Sequence, residues 1–203
     1  SYPCVGEDRP GLRYFRSVRT TGLNENTVVA LFSARLLNTG TSYMKMWMPA
    51  SSDVSYFTAL APGAKTASSP YQNKPSLVVT MRKEKTAVKE PFVAVYEPIS
   101  DKVSAGLIES VDRVKLDPQG EEGCAIKVKT KEGDTFTLVN ILKDGPVILN
   151  NQKCCGDFAI FAKRKGKNSV YVGNGSFVEN KEFKVESENR GSFYMEYDQS
   201  SLL

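Results

Sequence analysis

Apolar and polar residues alternate along most of this chain with a period of two, in short runs that Gly, Pro, Asn and Asp interrupt. Alternation of this kind sends successive side chains to opposite sides of an extended strand, so that each run hides one face and wets the other. Gly11–Thr20 places Leu12, Tyr14, Arg16 and Val18 at alternate positions, and Thr27–Leu37 is a nearly continuous apolar run suited to burial on both faces. Ser42–Met48 sets Tyr43, Lys45 and Trp47 against methionines, which gives that strand one wholly apolar face.

Further along, Val54–Leu60, Ser76–Arg82, Pro91–Pro98 and Ala105–Leu116 read as strands. The β-branched residues of SLVVTMR and PFVAVYEP lose χ1 freedom in a helix and pack well on a pleated surface, and these two runs are predicted to be central and paired. Between them and the earlier strands, the Pro-, Gly-, Ala- and Ser-rich segment 61–75 is too long for a hairpin and is predicted to cross between sheets. Ala125–Thr130 and Thr135–Leu142 flank Lys131-Glu132-Gly133-Asp134, a hairpin turn whose glycine can supply positive φ. The same device recurs where Phe158–Lys163 and Ser169–Val172 flank Arg164–Asn168, followed by short runs near Phe177 and Phe183 and a last strand, Ser192–Tyr197.

A sheet must cover its apolar face with a second layer, and no segment offers a capped apolar stripe at helical spacing. The fold class expected is therefore all-β: a large antiparallel two-sheet β-sandwich with a small C-terminal β sub-domain. Residues 1–144 are assigned to the main sandwich and residues 145–203 to C-terminal hairpins packed as a small sub-sheet, because GPVILNNQKCCG at Gly145–Gly156 interrupts the pairing pattern. Fixed-length repeats are not evident, which argues against a propeller or a β-helix.

With 203 residues, 40% hydrophobic and 25% charged, the chain can bury a substantial core. It contains no histidine, so Ser-His-Asp triads and His-containing zinc or iron sites are excluded or weakened. No catalytic residue, metal ligand or cofactor site is assigned. The formal charge of +4 suits an anionic partner but falls short of a nucleic-acid footprint, and a solvated basic surface with no partner is the better explanation of it. Cys4, Cys124, Cys154 and Cys155 lack metal or redox spacing. A bridge from Cys4 and a set of buried free thiols both stay open. No apolar run approaches the ~20 residues of a membrane span, and SYPCVGEDRP reads as the start of a processed piece of something longer.

Several groups of residues are candidates for binding. Lys163, Arg164, Lys165 and Lys167 form the densest positive cluster, of a kind that can bind phosphates and sulfates, although hairpin turns need solvated residues anyway. Arg82, Lys83, Lys85 and Lys89 are interleaved with Glu84 and Glu90 and read as a plain loop. Arg13, Arg16 and Arg19 lie in one early strand, Arg13 and Arg19 on one pleat face and Arg16 on the other, where they could meet a sugar carboxylate or simply protect an edge. Trp47, Tyr43 and Tyr56 could stack on sugar rings or fill the core. Glu97, just before Pro98, is a lone carboxylate with no nameable partner for glycosidase chemistry. Asn174-Gly175-Ser176 matches a glycosylation acceptor too short to mean much.

The stretch WMPASSDVSYFTALAPGAK at Trp47–Lys65 resembles heparinase II/III-like proteins, in which a strand ends in a Leu-or-Met-Pro step and an aromatic strand runs into an Ala-Pro loop. PSLVVTMRKEKTAVKEPFVAVYEPISD at Pro75–Asp101 is similar to that family's central strands with a Glu-Pro exit, and GLIESVDRVKL at Gly106–Leu116 to the strand that follows. Together these cover Arg13–Leu142 in order. The resemblance implies the C-terminal β-sandwich of a bacterial, periplasmic or extracellular polysaccharide lyase that cleaves uronate polymers by β-elimination, with an N-terminal α/α toroid of the same protein as its partner. Neither the toroid nor any histidine of that family is present, so no family residue role carries over. The resulting expectation is a scaffold and accessory binder of acidic polysaccharide, with no nucleic-acid partner and no membrane span. A free-standing adhesion or surface-interaction sandwich with no carbohydrate role is the alternative, and a self-sufficient lyase is disfavoured.

Overall fold

A computed structural model describes residues 15–24, 26–36, 40–61, 76–83, 91–101, 105–117, 123–142, 145–149 and 151–197. The alternating runs all become strands: β1 (Arg16–Asn24), β2 (Val28–Leu36), β3 (Gly40–Met48), β4 (Ser51–Ala61), β5 (Ser76–Lys83), β6 (Val95–Ile99), β7 (Ile108–Val114), β8 (Gly123–Thr130), β9 (Thr135–Ile141), β10 (Val147–Leu149), β11 (Gln152–Cys155), β12 (Phe158–Arg164), β13 (Lys167–Glu179) and β14 (Lys184–Tyr197). The described residues contain no helix, and so none long and apolar enough to cross a membrane. The class is all-β and every strand pairing is antiparallel.

The chain divides into two compact units. The first, Ser1–Glu25 with Ser51–Lys85, holds a sheet of order β1-β4-β5 around Val18, Phe57 and Ala59, with Phe15 packed against them. The second, Asn26–Ala50 with Thr86–Leu203, is the sandwich proper: a three-stranded sheet, β2-β3-β6, and an eight-stranded one. Thr27 ties the two layers together by donating its hydroxyl to the Val111 carbonyl at 2.9 Å.

The eight-stranded sheet runs β10-β11-β13-β12-β9-β8-β7, with β14 paired to β13. It bends along a line of interruptions that neighbouring strands share, namely the break between β9 and β10, the break at Gly156–Asp157, and the register shift around Gly175. Small residues are required at this corner. A Cβ at Gly156 would come within 2.8 Å of Val172 Cγ1 and 3.0 Å of Gly175 Cα, and one at Gly175 would collide with Val172 and the Cys155 carbonyl. Beyond the bend, Asp117 and Ile148 exchange backbone hydrogen bonds of 3.0 and 2.9 Å, so the path's two ends meet and the sheet nearly closes on itself.

Inside this curl lies the larger core. Cross-strand register aligns Ala125, Val139, Ala159 and Val172 on one face. They pack with Phe161, Val170, Val178 and Cys154, while Phe183, Val185, Phe193 and Met195 close the edge. Each such side chain contributes about 1.5–3 kcal/mol of apolar burial when it is large, so this face supplies much of the unit's stability. The opposite face carries Val111, Ile126 and Val128, and there Trp47, Val93 and Val95 of the three-stranded layer pack down.

Four expectations need correction. SLVVTMR and PFVAVYEP are not partners: β5 ends the β1-β4-β5 sheet and β6 ends the β2-β3-β6 sheet. Composition favours a strand but does not choose its neighbour, which packing decides. Residues 62–75 lie outside the described residues, but the strands that flank them belong to one sheet and not to two, because Ala61 pairs with Ser76 and β4 and β5 are antiparallel neighbours. Loop-closure entropy grows only slowly with length, so a long connection can still close a hairpin. Gly145–Gly156 does not interrupt pairing but holds the β10–β11 hairpin, which is part of the eight-stranded sheet. Finally, Arg16 and Arg19 do not face opposite sides. A bulge with Ser17 at φ 53° sets them opposite Leu60 and Thr58, two residues apart on β4 and therefore on one face.

Candidate functional site: an aromatic strip with a cationic end

The three-stranded layer is too narrow for the eight-stranded sheet. It reaches Ile126, Val128 and the partly buried Phe136, and past them the same face lies open. Register places Ile126, Leu138, Ile160, Tyr171 and Tyr194 side by side across five strands. Leu138 is 36% exposed, Phe158 41% and Tyr194 59%, an apolar stripe that no part of the described structure shields. The Phe158 and Tyr171 rings pack at 5.6 Å between centroids, tilted by 39°. Phe158 lies across Gly173, where a Cβ would come within 2.8 Å of its Cδ1. The missing side chain lets the ring lie flat on the sheet. Tyr194 donates its hydroxyl to Glu196 at 2.5 Å, and that bond, with the carboxylate nearby, holds its phenol above the usual range and so protonated.

The cationic cluster found in the sequence sits at one end of this strip. β12 and β13 join through Lys165 and Gly166, at φ 48° and 83°, a two-residue turn of the left-handed kind that hairpins favour. Arg164 and Lys167 form the last strand pair before it, and their parity with Ile160 and Tyr171 puts them on the strip's face. Lys163 pairs with Asn168 and points to the other face. The Arg164 guanidinium sits 6.0 Å from the Phe136 ring centroid, with Nε 3.5 Å from Asp134 Oδ2. Asp134 is buried and also accepts the Lys165 backbone N–H at 3.1 Å, which latches the β8–β9 tip to the β12–β13 tip. Gly133, at φ 86°, makes the first of these turns as its position in the sequence requires. The side chains of Arg164, Lys165 and Lys167 are exposed, and together they give the strip a positive end.

The other candidates lie elsewhere. Arg13 is outside the described residues, while Arg16 and Arg19 are exposed on β1, at the edge of the first unit's sheet. Tyr56 is buried in that unit. Trp47 packs between the two layers of the sandwich and donates its indole N–H to Glu97 Oε2 at 3.0 Å. The other oxygen of Glu97 accepts the backbone N–H groups of Leu107 at 2.5 Å and Ile108 at 2.8 Å. Gly106, at φ 71°, leaves room for that carboxylate, since a Cβ there would overlap it. Outside this knot, Lys45 donates to the Ala105 carbonyl at 2.6 Å and Lys131 to those of Ala105 and Gly106 at 2.8 Å. Glu97 is thus a buried structural acceptor, positioned by three donors that depend on it.

Two of the thiols are held protonated by burial. Burial, reinforced by neighbouring Cys155, pushes Cys154 up to about 12, and burial raises Cys124 against the opposing pull of Arg113. Cys124, Cys154 and Cys155 are free, and Cys4 lies outside the described residues. At the glycosylation-like triplet, Asn174 donates its carboxamide to Asp157 at 2.8 Å, and Arg190 bridges the same pair, so that amide is already engaged. Among the described residues no cluster of acidic or thiol side chains could hold a metal ion. Sequence reasoning missed Leu138, Phe158, Tyr171 and Tyr194, whose only signal was an apolar residue at every second position of strands that turn out to be neighbours.

No family model matches the chain, and no solved structure matches it. Among curated proteins, it is similar to an endo-acting ulvan lyase of Formosa agariphila, 29% identical over 195 residues that make up 91% of this chain and 23% of that protein. The chain therefore spans less than a quarter of the length of the curated relative it matches. The similarity runs to a polysaccharide lyase, the broader class to which the sequence resemblance pointed.

Proposed function

We propose that this chain is a non-catalytic β-module of a polysaccharide lyase-like protein, of the heparinase II/III-like kind, that acts as scaffold and holds acidic polysaccharide on the strip described above. The observation that carries this reading is the union, on one open sheet face, of exposed rings and a cationic end. Aromatic faces cover the apolar C–H face of a pyranose, and Arg164, Lys165 and Lys167 would pair with carboxylate or sulfate groups along the chain. Similarity to an ulvan lyase over nearly the whole chain supports the substrate class. The chemistry of bond cleavage belongs in this reading to other parts of the protein, and the compartment to the periplasm or the exterior of a bacterium.

Affinity electrophoresis in gels containing polygalacturonate or alginate, with xylan as the neutral control, tests this. The chain should be retarded by the acidic polymers, less so as salt rises, because exposed charge pairs are screened. Tyr194→Ala and the double variant Arg164→Ala/Lys167→Ala should each weaken retention about tenfold, the equivalent of ~1.4 kcal/mol. Equal retention of wild type and both variants would remove the strip from the mechanism. Migration unaffected by any acidic polymer would overturn the carbohydrate role and leave an interaction sandwich.

A further inference from the structure

The opposite, core-bearing face of the same sheet carries a feature that the strip does not use. Where β13 begins and β14 ends, Asn168 and Tyr197 are register partners, and the turn residue Asn151, Gln152 at the start of β11 and the loop at residues 180–182 lie against them. Together they line an open cleft of about 280 Å³. Its walls are fixed from behind. Phe183 packs edge-on against the Tyr197 ring at 4.7 Å and 61°, and Asn180 Oδ1 accepts the backbone N–H groups of Glu182 at 2.7 Å and Phe183 at 2.9 Å. The Asn180 side chain also hydrogen-bonds the Tyr197 phenol, which fixes the ring's edge in the wall. Asn168, only 9% exposed as a residue, lines the cleft.

We propose that this cleft is a second binding site, which takes one or two hydroxyl-rich sugar units, such as the end of a saccharide chain, rather than an extended polyanion. Its size lies at the lower bound of ligand pockets, about 300–1,000 Å³, which admits a short ligand and not a folded-over polymer. Carboxamides both donate and accept, so Asn168 and Gln152 suit the vicinal hydroxyls of a sugar. Tyr197 offers a ring to stack on and a phenol that burial and the Glu182 carboxylate keep protonated, hence a donor. Lys181 and Glu182 cancel in charge at the rim, unlike the cationic end of the strip, so the cleft selects neutral or singly charged units. The site is independent of the strip, and either can fail alone.

Amide-resolved NMR of the full chain reads this directly. Methyl glycosides of glucose, xylose, galactose and glucuronic acid are titrated while the side-chain NH2 signals of Gln152, Asn168 and Asn180 are followed. At least one glycoside should shift these signals saturably. Gln152→Ala, at the half-buried first residue of β11 and with its fold checked by the dispersion of its amide spectrum, should weaken that binding about fivefold, the loss of roughly one hydrogen bond. Tyr194→Ala, on the other face, should leave it unchanged. If no glycoside shifts these amides saturably, or if Gln152→Ala binds as tightly as wild type, the proposal is overturned.

Discussion

One face of the eight-stranded sheet is two surfaces. Over β7 and β8 it carries Val111, Ile126 and Val128 beneath Trp47 and Val95, and over β9, β12, β13 and β14 it carries Leu138, Phe158, Tyr171 and Tyr194 with nothing packed on the outermost of them. Both halves arise from the same alternation of apolar residues. What separates them is the width of the covering layer, and the consequence is that a given apolar side chain is core in one half and available surface in the other. Substitutions should therefore act on folding in the covered half and on binding in the open half.

The covered half should break hardest at Glu97. Glu97→Ala leaves the Trp47 indole N–H and the backbone N–H groups of Leu107 and Ile108 without their acceptor. Each orphaned donor costs about 1–3 kcal/mol, so the expected loss is about 3 kcal/mol or more in urea unfolding. Trp47 is the sole tryptophan, so its fluorescence reports this site. A loss under about 1 kcal/mol would show that the knot between the layers is not what seats the three-stranded sheet.

On the core-bearing face, Cys154 should make stability fall at alkaline pH. Its thiol is raised from 9.0 to about 12 in the fold, so the unfolded chain loses its proton first and binds fewer protons than the folded one above pH 9. The contribution is intact below pH 9 and is lost as pH rises toward 12, at roughly 1.4 kcal/mol per pH unit. Cys154→Ala should flatten this part of the stability profile, and the native thiol should resist a disulfide reagent that modifies the unfolded chain. An unchanged slope in the variant would assign the alkaline loss to other groups.

At the border between folding and binding stands Gly173. Gly173→Ala drives a methyl group into the Phe158 ring. Because that ring is partly exposed it can swing away, so the cost should be about 1 kcal/mol, the low end for overpacking. The ring would then no longer lie flat, and polymer retention should drop with it. Full retention would mean that Phe158 contributes nothing to the strip.

The strands were legible in the sequence, and much of their pairing was not. The β8–β9 hairpin could be read because its turn is short and Gly133 sits where positive φ is needed. β10 and β11 escaped because three and four residues are too few to show a period, and NNQKCC carries no apolar alternation. The split of the basic cluster was hidden by one detail. If Arg164–Asn168 is all turn, its cations have no face, whereas the two-residue turn Lys165-Gly166 sends Arg164 and Lys167 to one side and Lys163 to the other. Glu97 could not be interpreted because its partners are 50, 10 and 11 residues away, and only the fold brings them together. The aromatic strip is a property of register alone, since Phe158, Tyr171 and Tyr194 belong to three strands.

The smallest effect on stability should come from Tyr194→Ala, and that is what makes it the sharpest test of the comparison. Tyr194 lies on β14, 59% exposed, with its hydroxyl bonded to the side chains of Glu196 and Ser169. Exposed positions of this kind usually change stability by no more than about 0.5 kcal/mol. If the open half is surface, unfolding by urea should be indistinguishable from wild type while retention by polygalacturonate falls. If instead Tyr194→Ala unfolds the chain as readily as a core substitution, the ring is part of the packing between β13 and β14, and the division of this face into a folding half and a binding half is lost.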